Sequence, residues 1–231
     1  MFVPIFFYIT DRRSLPGDAP GQRCRLLEKI AEAARLGVDY IQLREKDLSG
    51  RELELLARDA LRAICENTRL RTDNRKPKTA LLVNSRTDVA LASGAEGVHL
   101  RSDDISPKEV RAIWKSAVSI SSRDHSPSIP IISVACHTSE EVAEEEVAEA
   151  ETEGANLAIF APVFEKKDSP ATTPAGFDVL RKACRNKIPV IALGGVTLKN
   201  AQACLDAGAT GIAGIRLFQD NEIAEILHSL R

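Results

Sequence analysis

The sequence has no strong excess of charge of either sign. Its 31 lysine and arginine residues stand against 33 aspartate and glutamate residues, which leaves a formal net charge of -2. A protein that binds nucleic acid or an anionic membrane usually presents a strongly basic face. The near-neutral balance argues against both as the main partner and favours a small substrate.

The sequence also lacks closely spaced cysteine pairs. Its cysteines are odd in number and widely separated: Cys24, Cys65, Cys136, Cys184 and Cys204. Structural zinc sites and redox motifs generally use CxxC pairs, and the disulfide frameworks of small secreted proteins use an even number of cysteines. We therefore predict reduced thiols in a cytoplasmic protein.

Two further patterns are missing at the start of the chain. The apolar opening stretch, residues 1–10, is far shorter than the roughly 20 residues of a membrane-spanning helix and follows no basic segment. We interpret it as the first strand of a sheet. No GxGxxG follows it, so an open dinucleotide-binding sheet, the main rival fold, lacks its usual sign.

A repeated pattern organises the rest of the sequence. Four helix-like stretches end in glycine followed by an apolar run, and the glycines Gly37, Gly94, Gly154 and Gly208 lie 57, 60 and 54 residues apart. Glycine commonly ends a helix because it enters the left-handed region without a Cβ penalty. Four other apolar runs follow prolines, a position that strands tolerate at their first residues: Pro4, Pro77, Pro130 and Pro189.

These eight runs alternate with amphipathic stretches, which predicts parallel strands joined by helices. A chain of 231 residues with 44% hydrophobic content is long enough for one such closed ring. We predict a single (β/α)8 barrel, an α/β fold, over residues 1–231. Barrel enzymes place their active sites at the carboxyl ends of the strands, so the residues that follow each run are the candidate site.

The second run ends in a burst of charge, DYIQLREKD. Gln42, Arg44 and Lys46 alternate along it and therefore share one face. Converging arginine and lysine side chains favour a phosphate or diphosphate ligand. The alternative is that both cations form ion pairs with Glu45 or Asp47.

Two other strand ends carry candidate groups. Gly194 and Gly195 follow the seventh run, where such barrels often bind phosphate through backbone N–H groups, although a Gly-Gly pair can also form a simple tight loop. His137 follows the fifth run and could move protons at neutral pH. His99 lies within the fourth run and is expected to be an interior histidine.

Taken together, the strand ends resemble the superfamily of thiamine phosphate synthases and TenI-type thiazole tautomerases. The matching segments cover nearly the whole chain: FYITD, QLREKD, LLVNSRTDVALASGAEGVHL, CHTSEEV, APVFEKKD, IPVIALGGVT and GATGIAGI. The resemblance implies an enzyme that joins a hydroxymethylpyrimidine diphosphate to a thiazole phosphate. The products would be thiamine phosphate and diphosphate, with Mg2+ assisting the leaving group.

The resemblance also implies roles for individual residues. It identifies Gln42, Arg44, Lys46 and Asn84 as diphosphate contacts and Asp104 as a magnesium ligand. A cradle for the thiazole phosphate is implied at three further positions: Gly194, Gly195 and Ile215.

Four positions depart from the synthase pattern. Ser85 stands where a synthase usually has a second magnesium aspartate, and Ala135 replaces a usual serine. The loop over residues 163–168 is short, although its Lys166 and Lys167 could still reach a diphosphate. Arg216 replaces a small serine, where it would bind phosphate or fill the pocket.

Several of these departures also suit the tautomerase branch, which needs no diphosphate and uses a histidine such as His137 to move protons on the thiazole ring. Against this branch, a tautomerase would not require the diphosphate half-site of Arg44, Lys46, Asn84 and Asp104. A third hypothesis is a non-catalytic protein that binds thiamine phosphate or a related ester. The partners expected in each case are small phosphorylated molecules, and a homodimer is left open.

Overall fold

The computed structural model describes residues 3–68, 79–120, 129–136, 143–165 and 174–231. Eight parallel strands lie in these ranges, each in one of the predicted runs. They are β1 (Ile5–Ile9), β2 (Tyr40–Leu43), β3 (Ala80–Asn84), β4 (Gly97–Leu100), β5 (Ile131–Cys136), β6 (Leu157–Phe160), β7 (Val190–Ala192) and β8 (Gly211–Gly214).

Helices follow the strands around the ring. They are α1 (Ala19–Leu36), α2 (Gly50–Thr68), α3 (Thr87–Ser93), α4 (Pro107–Ile120), α5 (Ala143–Thr152), α6 (Gly176–Ala183), α7 (Ala201–Asp206), α8 (Arg216–Gln219) and α9 (Ile223–Leu230). Sequence periodicity did not predict α3 and α8, because seven and four residues are too few to display a repeat of 3.6. A single 3-10 turn over Arg12–Ser14 connects β1 to α1.

The strands close into a barrel in chain order, with β1 paired to both β2 and β8. This confirms the predicted (β/α)8 fold. The repeated glycines have the predicted left-handed backbone: φ is 85° at Gly37, 82° at Gly94, 91° at Gly154 and 107° at Gly208. Each of them therefore marks the turn from a helix into the next strand.

The apolar side chains form two layers because neighbours in a strand point to opposite faces. Phe7 and Ile9 of β1 belong to the cluster inside the barrel. Phe6 and Tyr8 belong to the larger cluster between the sheet and the helices. The barrel is therefore a packed core and leaves its carboxyl rim for ligands.

Polar side chains replace apolar ones near the carboxyl end of the barrel interior. Residue pairing sets Ile9 beside Gln42, Asn84 beside His99, and His99 beside Ser133. His99 is buried and lies 2.8 Å from the Ser133 hydroxyl through its Nδ1 atom, so it is an interior histidine, as expected.

All five cysteines are free thiols. Within the described ranges, no helix combines the length and the apolar character needed to cross a membrane.

Candidate active site

The charged stretch after β2 is organised by Arg12, a residue from the neighbouring loop. Its Nη1 atom lies 3.1 Å from Glu45 and 2.6 Å from Asp47, and its Nη2 atom donates to the second Asp47 oxygen at 2.7 Å. Both acids that could have neutralised Arg44 or Lys46 are therefore already paired. Neither Arg44 nor Lys46 forms an ion pair with a residue in the described ranges.

Glu45 is buried beneath this rim and fixes its shape. The Thr10 hydroxyl donates to its Oε1 atom at 2.6 Å, and the backbone N–H of Arg12 approaches both carboxylate oxygens at 3.1 and 3.2 Å. The same Thr10 hydroxyl accepts the backbone N–H of Arg44 at 3.0 Å. Burial raises the pKa of Glu45, and its hydrogen bonds and Arg12 partly offset that rise.

Lys46 lies in a field of like charge. Its pKa is lowered, first by the positive charge of Arg44, then by desolvation and by the charge of Arg101. Arg44 and Arg101, which follow β2 and β4, thus lie close enough to repel the Lys46 ammonium group. Such an arrangement is relieved by a bound anion.

A chain of hydrogen bonds crosses the barrel mouth from β2 to β4. Gln42 Nε2 donates to Asn84 Oδ1 at 2.8 Å, and Asn84 Nδ2 donates to the Ser85 hydroxyl at 3.0 Å. Arg101 Nε donates to the same hydroxyl at 3.0 Å. The buried Oε1 atom of Gln42 has no hydrogen-bond partner among the described residues.

The predicted magnesium ligand Asp104 lies at the end of this chain. Its Oδ2 atom accepts the backbone N–H of Arg101 at 2.7 Å, and its Oδ1 atom lies 3.4 Å from Arg101 Nη2. The same guanidinium nitrogen lies 3.3 Å from an oxygen of Asp103. No cluster of three or more metal-ligating side chains is found in the described part of the chain.

A cavity of about 300 Å³ lies beside these groups. Its polar wall consists of Glu45, Lys46, Asn84, Ser85, Arg86 and Arg101. Arg86 donates two hydrogen bonds to the Asp88 carboxylate, at 2.6 and 2.8 Å. Its charge is therefore partly neutralised, unlike that of Lys46. Gln42 is joined to this wall through Asn84.

The glycine half of the predicted site lies at the ends of β6 to β8. The backbone N–H of Phe164 donates to Gly194 O at 3.0 Å, and Asn200 Nδ2 donates to Gly195 O at 3.0 Å. Ile215 is partly buried and packs against the interior cluster, and Arg216 begins α8 with an exposed side chain. None of these residues lines the 300 Å³ cavity, nor do Arg44 and Asp104, so this cavity alone does not unite the predicted site.

Only glycine fits at Gly194 and Gly195. Both have positive φ, 93° and 67°. A Cβ atom on Gly194 would lie 2.7 Å from Pro162 Cα, and one on Gly195 would lie 2.7 Å from Phe164 Cβ. The Gly-Gly pair therefore allows β7 to approach the loop after β6 closely.

Gly194→Ala is expected to lower the free energy of unfolding by about 1–3 kcal/mol more than Gly176→Ala does. The reason is that the methyl group at position 194 must push away the backbone at Pro162, whereas the one at position 176 has room. Gly176 is the matched control, since its φ is 74° and a Cβ there would meet no atom of the described residues within 4 Å. Urea denaturation of both variants measures the difference. Equal losses would show that positive φ alone accounts for the effect.

Three predicted residues, His137, Lys166 and Lys167, lie outside the described residues. Two residues with central contacts were not predicted, Arg12 and Arg101. Arg101 directly follows the fourth strand, and its position at a strand end is the signal that could have identified it. Arg12 lies in a loop after β1, and its local sequence does not indicate that it pairs with Glu45 and Asp47.

The closed (β/α)8 barrel, with a polar cavity and several cations at the carboxyl ends of its strands, is typical of enzymes with this fold. The family model described as "Thiamine monophosphate synthase" matches residues 9–218. The chain belongs to this family, which confirms the resemblance found in the sequence.

Individual relatives agree with this assignment. The chain is 33% identical to "Putative thiamine-phosphate synthase 2" of Aquifex aeolicus, over 94% of this chain and 99% of that protein. It is 35% identical to "Thiamine-phosphate synthase" of Deinococcus radiodurans, over 92% of this chain and 69% of that protein. Among solved structures, the thiamine phosphate pyrophosphorylase of Pyrococcus furiosus superimposes with a TM-score of 0.73 at 27% identity, covering 98% of this chain and 93% of that one.

Proposed function

We propose that this protein is a thiamine-phosphate synthase, a transferase of thiamine biosynthesis that couples a hydroxymethylpyrimidine diphosphate to a thiazole phosphate. Family membership and the names of the relatives support this proposal. The single observation that carries it is local. Arg12 takes both acids of the charged stretch, which leaves Arg44 and Lys46 available for an anion.

The reaction exchanges one bond for another. The C–O bond between the pyrimidine methylene and the diphosphate breaks, and its electron pair leaves with the diphosphate. The lone pair of the thiazole nitrogen then forms the new C–N bond. Negative charge grows on the departing diphosphate, so cations that hold it lower the barrier.

Arg44 and Lys46 supply that stabilisation in our proposal, with Asn84 as a neutral contact. The positive charges of Arg44 and Lys46 repel each other in the free protein. A bound diphosphate relieves this repulsion, and the relief adds to the free energy of binding. Arginine offers a planar fork and lysine a compact charge, so together they can stabilise the charge that the bridging oxygen gains and shares with the rest of the leaving diphosphate.

Gln42 would act on the other end of this substrate. One of its two amide N–H bonds donates to Asn84, and its buried acceptor Oε1 has no hydrogen-bond partner among the described residues. A buried acceptor without a partner costs free energy until a donor arrives. An amino group on the pyrimidine ring is such a donor, and this contact would orient the methylene carbon.

The thiazole phosphate would bind at the opposite side of the rim. Gly194 and Gly195 lie there beside the loop after β6, and Ile215 and Arg216 lie at the next strand end. Lys166 and Lys167 remain predicted contacts to the phosphorylated substrates. Holding the two substrates in line supplies a further part of the rate enhancement.

Magnesium, which the resemblance implies, does not fit the described oxygens as they stand. The Ser85 hydroxyl accepts hydrogen bonds from both Asn84 and Arg101, which occupies its two lone pairs. Both oxygens of Asp104 face the N–H groups of Arg101. A metal bound there would displace these contacts and meet a guanidinium, so no step above depends on it.

The proposal is tested by mixing the purified protein with both substrates and measuring thiamine phosphate by chromatography. Steady formation of product at catalytic protein concentrations is expected. Absence of product over a wide range of protein and Mg2+ concentrations would contradict it. A protein that only binds thiamine phosphate would show ligand-dependent thermal stabilisation and no turnover.

The tautomerase alternative is favoured by one observation, the occupied hydroxyl of Ser85 where a magnesium aspartate is usual in synthases. The unaromatised thiazole phosphate separates the two activities. A tautomerase would convert it, and His137→Ala would abolish the conversion. A synthase would leave it unchanged while forming thiamine phosphate from the aromatic thiazole.

A further inference from the structure

The side chain of Arg101 occupies the place that the family resemblance gives to a metal ion. It connects the end of β3 to the end of β4, with Nε donating to the Ser85 hydroxyl at 3.0 Å. Its Nη2 atom lies 3.3 Å from Asp103 and 3.4 Å from Asp104. Ser85 and Asp104 correspond to the two positions expected to ligate magnesium, and the guanidinium contacts both.

The charges at this place are also equivalent. Two carboxylates with one divalent cation carry no net charge. The Asp104 carboxylate with the Arg101 guanidinium and the neutral Ser85 hydroxyl likewise carry none. This protein has Ser85 in place of one carboxylate and the Arg101 guanidinium in place of a divalent cation. The two changes cancel, so the net charge of this group of residues is the same.

Arg101 keeps donors that a bound anion can use. A guanidinium has five N–H groups, and Nη1 donates to no described residue. The side chain lines the same cavity as Lys46 and Asn84, so these three side chains face the space in which a diphosphate would bind. Arginine–phosphate hydrogen bonds are among the strongest that proteins form.

The backbone supports a fixed position for this contact. Ser85 has a positive φ of 59°, which is uncommon for a residue other than glycine. Its N–H donates to His99 O at 2.8 Å, and this bond ties the turn after β3 to β4. Residues held in such sparsely populated conformations concentrate at functional sites.

We propose that Arg101 takes over the position and charge of the family's magnesium ion, so that this protein binds diphosphate without a divalent metal. The inference rests on the proposed function, because it assigns a role in binding the same leaving group. It makes Arg101 a substrate-binding residue and the metal dispensable for diphosphate binding.

The experiment measures binding of inorganic diphosphate by isothermal titration calorimetry, once in EDTA and once in excess MgCl2. The wild-type protein is expected to bind in EDTA, with less than about a threefold gain in affinity from magnesium. R101G is expected to lose about tenfold or more in EDTA, the size of one charged hydrogen bond. R101K, which keeps the charge without the fork, should fall between the two.

The double variant S85D/R101G provides the decisive arm. It restores the two carboxylates and removes the guanidinium, so its diphosphate binding is expected to need magnesium. Arg181→Ala is the matched control, because Arg181 is an exposed arginine on α6 that pairs with Asp178 at 2.7 Å. It removes the same charge away from the rim and should bind as the wild type does.

Four outcomes would overturn the inference: no wild-type binding in EDTA, a gain of about threefold or more from magnesium, unchanged binding by R101G, or binding by S85D/R101G that does not need magnesium. Circular dichroism and thermal unfolding establish that each variant is folded. The binding assay needs neither the thiazole phosphate nor turnover. Metal-free, Arg101-dependent binding in a protein that makes no thiamine phosphate would therefore refute the proposed function and leave the inference standing.

Discussion

Replacement of Arg44 with alanine is expected to lower kcat/KM for thiamine phosphate formation about 100-fold, or about 2.7 kcal/mol of transition-state stabilisation. Arg44 is not neutralised by Glu45 or Asp47, because both pair with Arg12. Its charge is therefore available to a leaving group that becomes more negative as the C–O bond breaks. Steady-state kinetics with the pyrimidine substrate varied measure the change.

The kinetic parameters distinguish catalysis from simple binding. A contact that strengthens in the transition state lowers kcat, whereas one made equally throughout raises KM alone. Arg44→Lys should recover part of the loss, since it restores the charge without the planar fork. An unchanged kcat/KM for Arg44→Ala would contradict the assigned role, and Arg62→Ala, on the exposed face of α2, is the control.

Arg12→Met is expected to lower the free energy of unfolding at pH 7 by about 3 kcal/mol, because it leaves the buried Glu45 carboxylate without its counter-ion. The methionine keeps much of the apolar stem of the arginine. Arg62→Met is the matched control, since Arg62 pairs with Asp59 at 3.1 Å but is largely exposed. Exposed pairs contribute at most about 1 kcal/mol.

The pH dependence gives this prediction its sign. Burial raises the pKa of Glu45 in the folded protein, so folding favours its proton, and stability falls as pH rises from the ordinary carboxyl value of 4.5 through the raised one. Arg12 opposes that rise, and its removal makes the fall larger. Arg12 also lowers the pKa of Asp47, and the stability that this pairing contributes is lost as the pH falls through that lowered pKa.

The loss caused by Arg12→Met should therefore be greatest near neutral pH and shrink as the pH falls through the raised pKa of Glu45 toward 4.5. The smaller part that comes from Asp47 is lost at lower pH, below the ordinary aspartate value of 3.8. Urea denaturation curves at several pH values measure it. A loss independent of pH would show that packing, and not charge, is what Arg12 contributes. The second prediction would then fail while the assignment of the barrel remained unaffected.

Much of the barrel could be predicted because its signals are local. The glycines Gly37, Gly94, Gly154 and Gly208 each end a helix by a backbone conformation that other residues enter at a cost. Prolines and apolar runs mark the remaining strands. Helix α8 escaped prediction because its four residues complete only about one turn.

The candidate site could be predicted in part for the same reason. Alternation along the second run predicts one face for Gln42, Arg44 and Lys46, but β2 ends at Leu43, so for Arg44 and Lys46 this stays a prediction. Their partners could not be predicted, because Arg12 and Glu45 are 33 residues apart and Gln42 and Asn84 are 42 apart. Which of several nearby acids an arginine meets depends on how the strands are paired.

The sequence by itself determined the order of elements, the barrel and the family, since each follows from short-range patterns. Only the tertiary structure decided that Arg12 binds Glu45 and Asp47, and that Arg101 lies between Ser85 and Asp104. These contacts join the ends of neighbouring strands. Their geometry exists only after the sheet has closed and set the register of β1 against β2 and of β3 against β4.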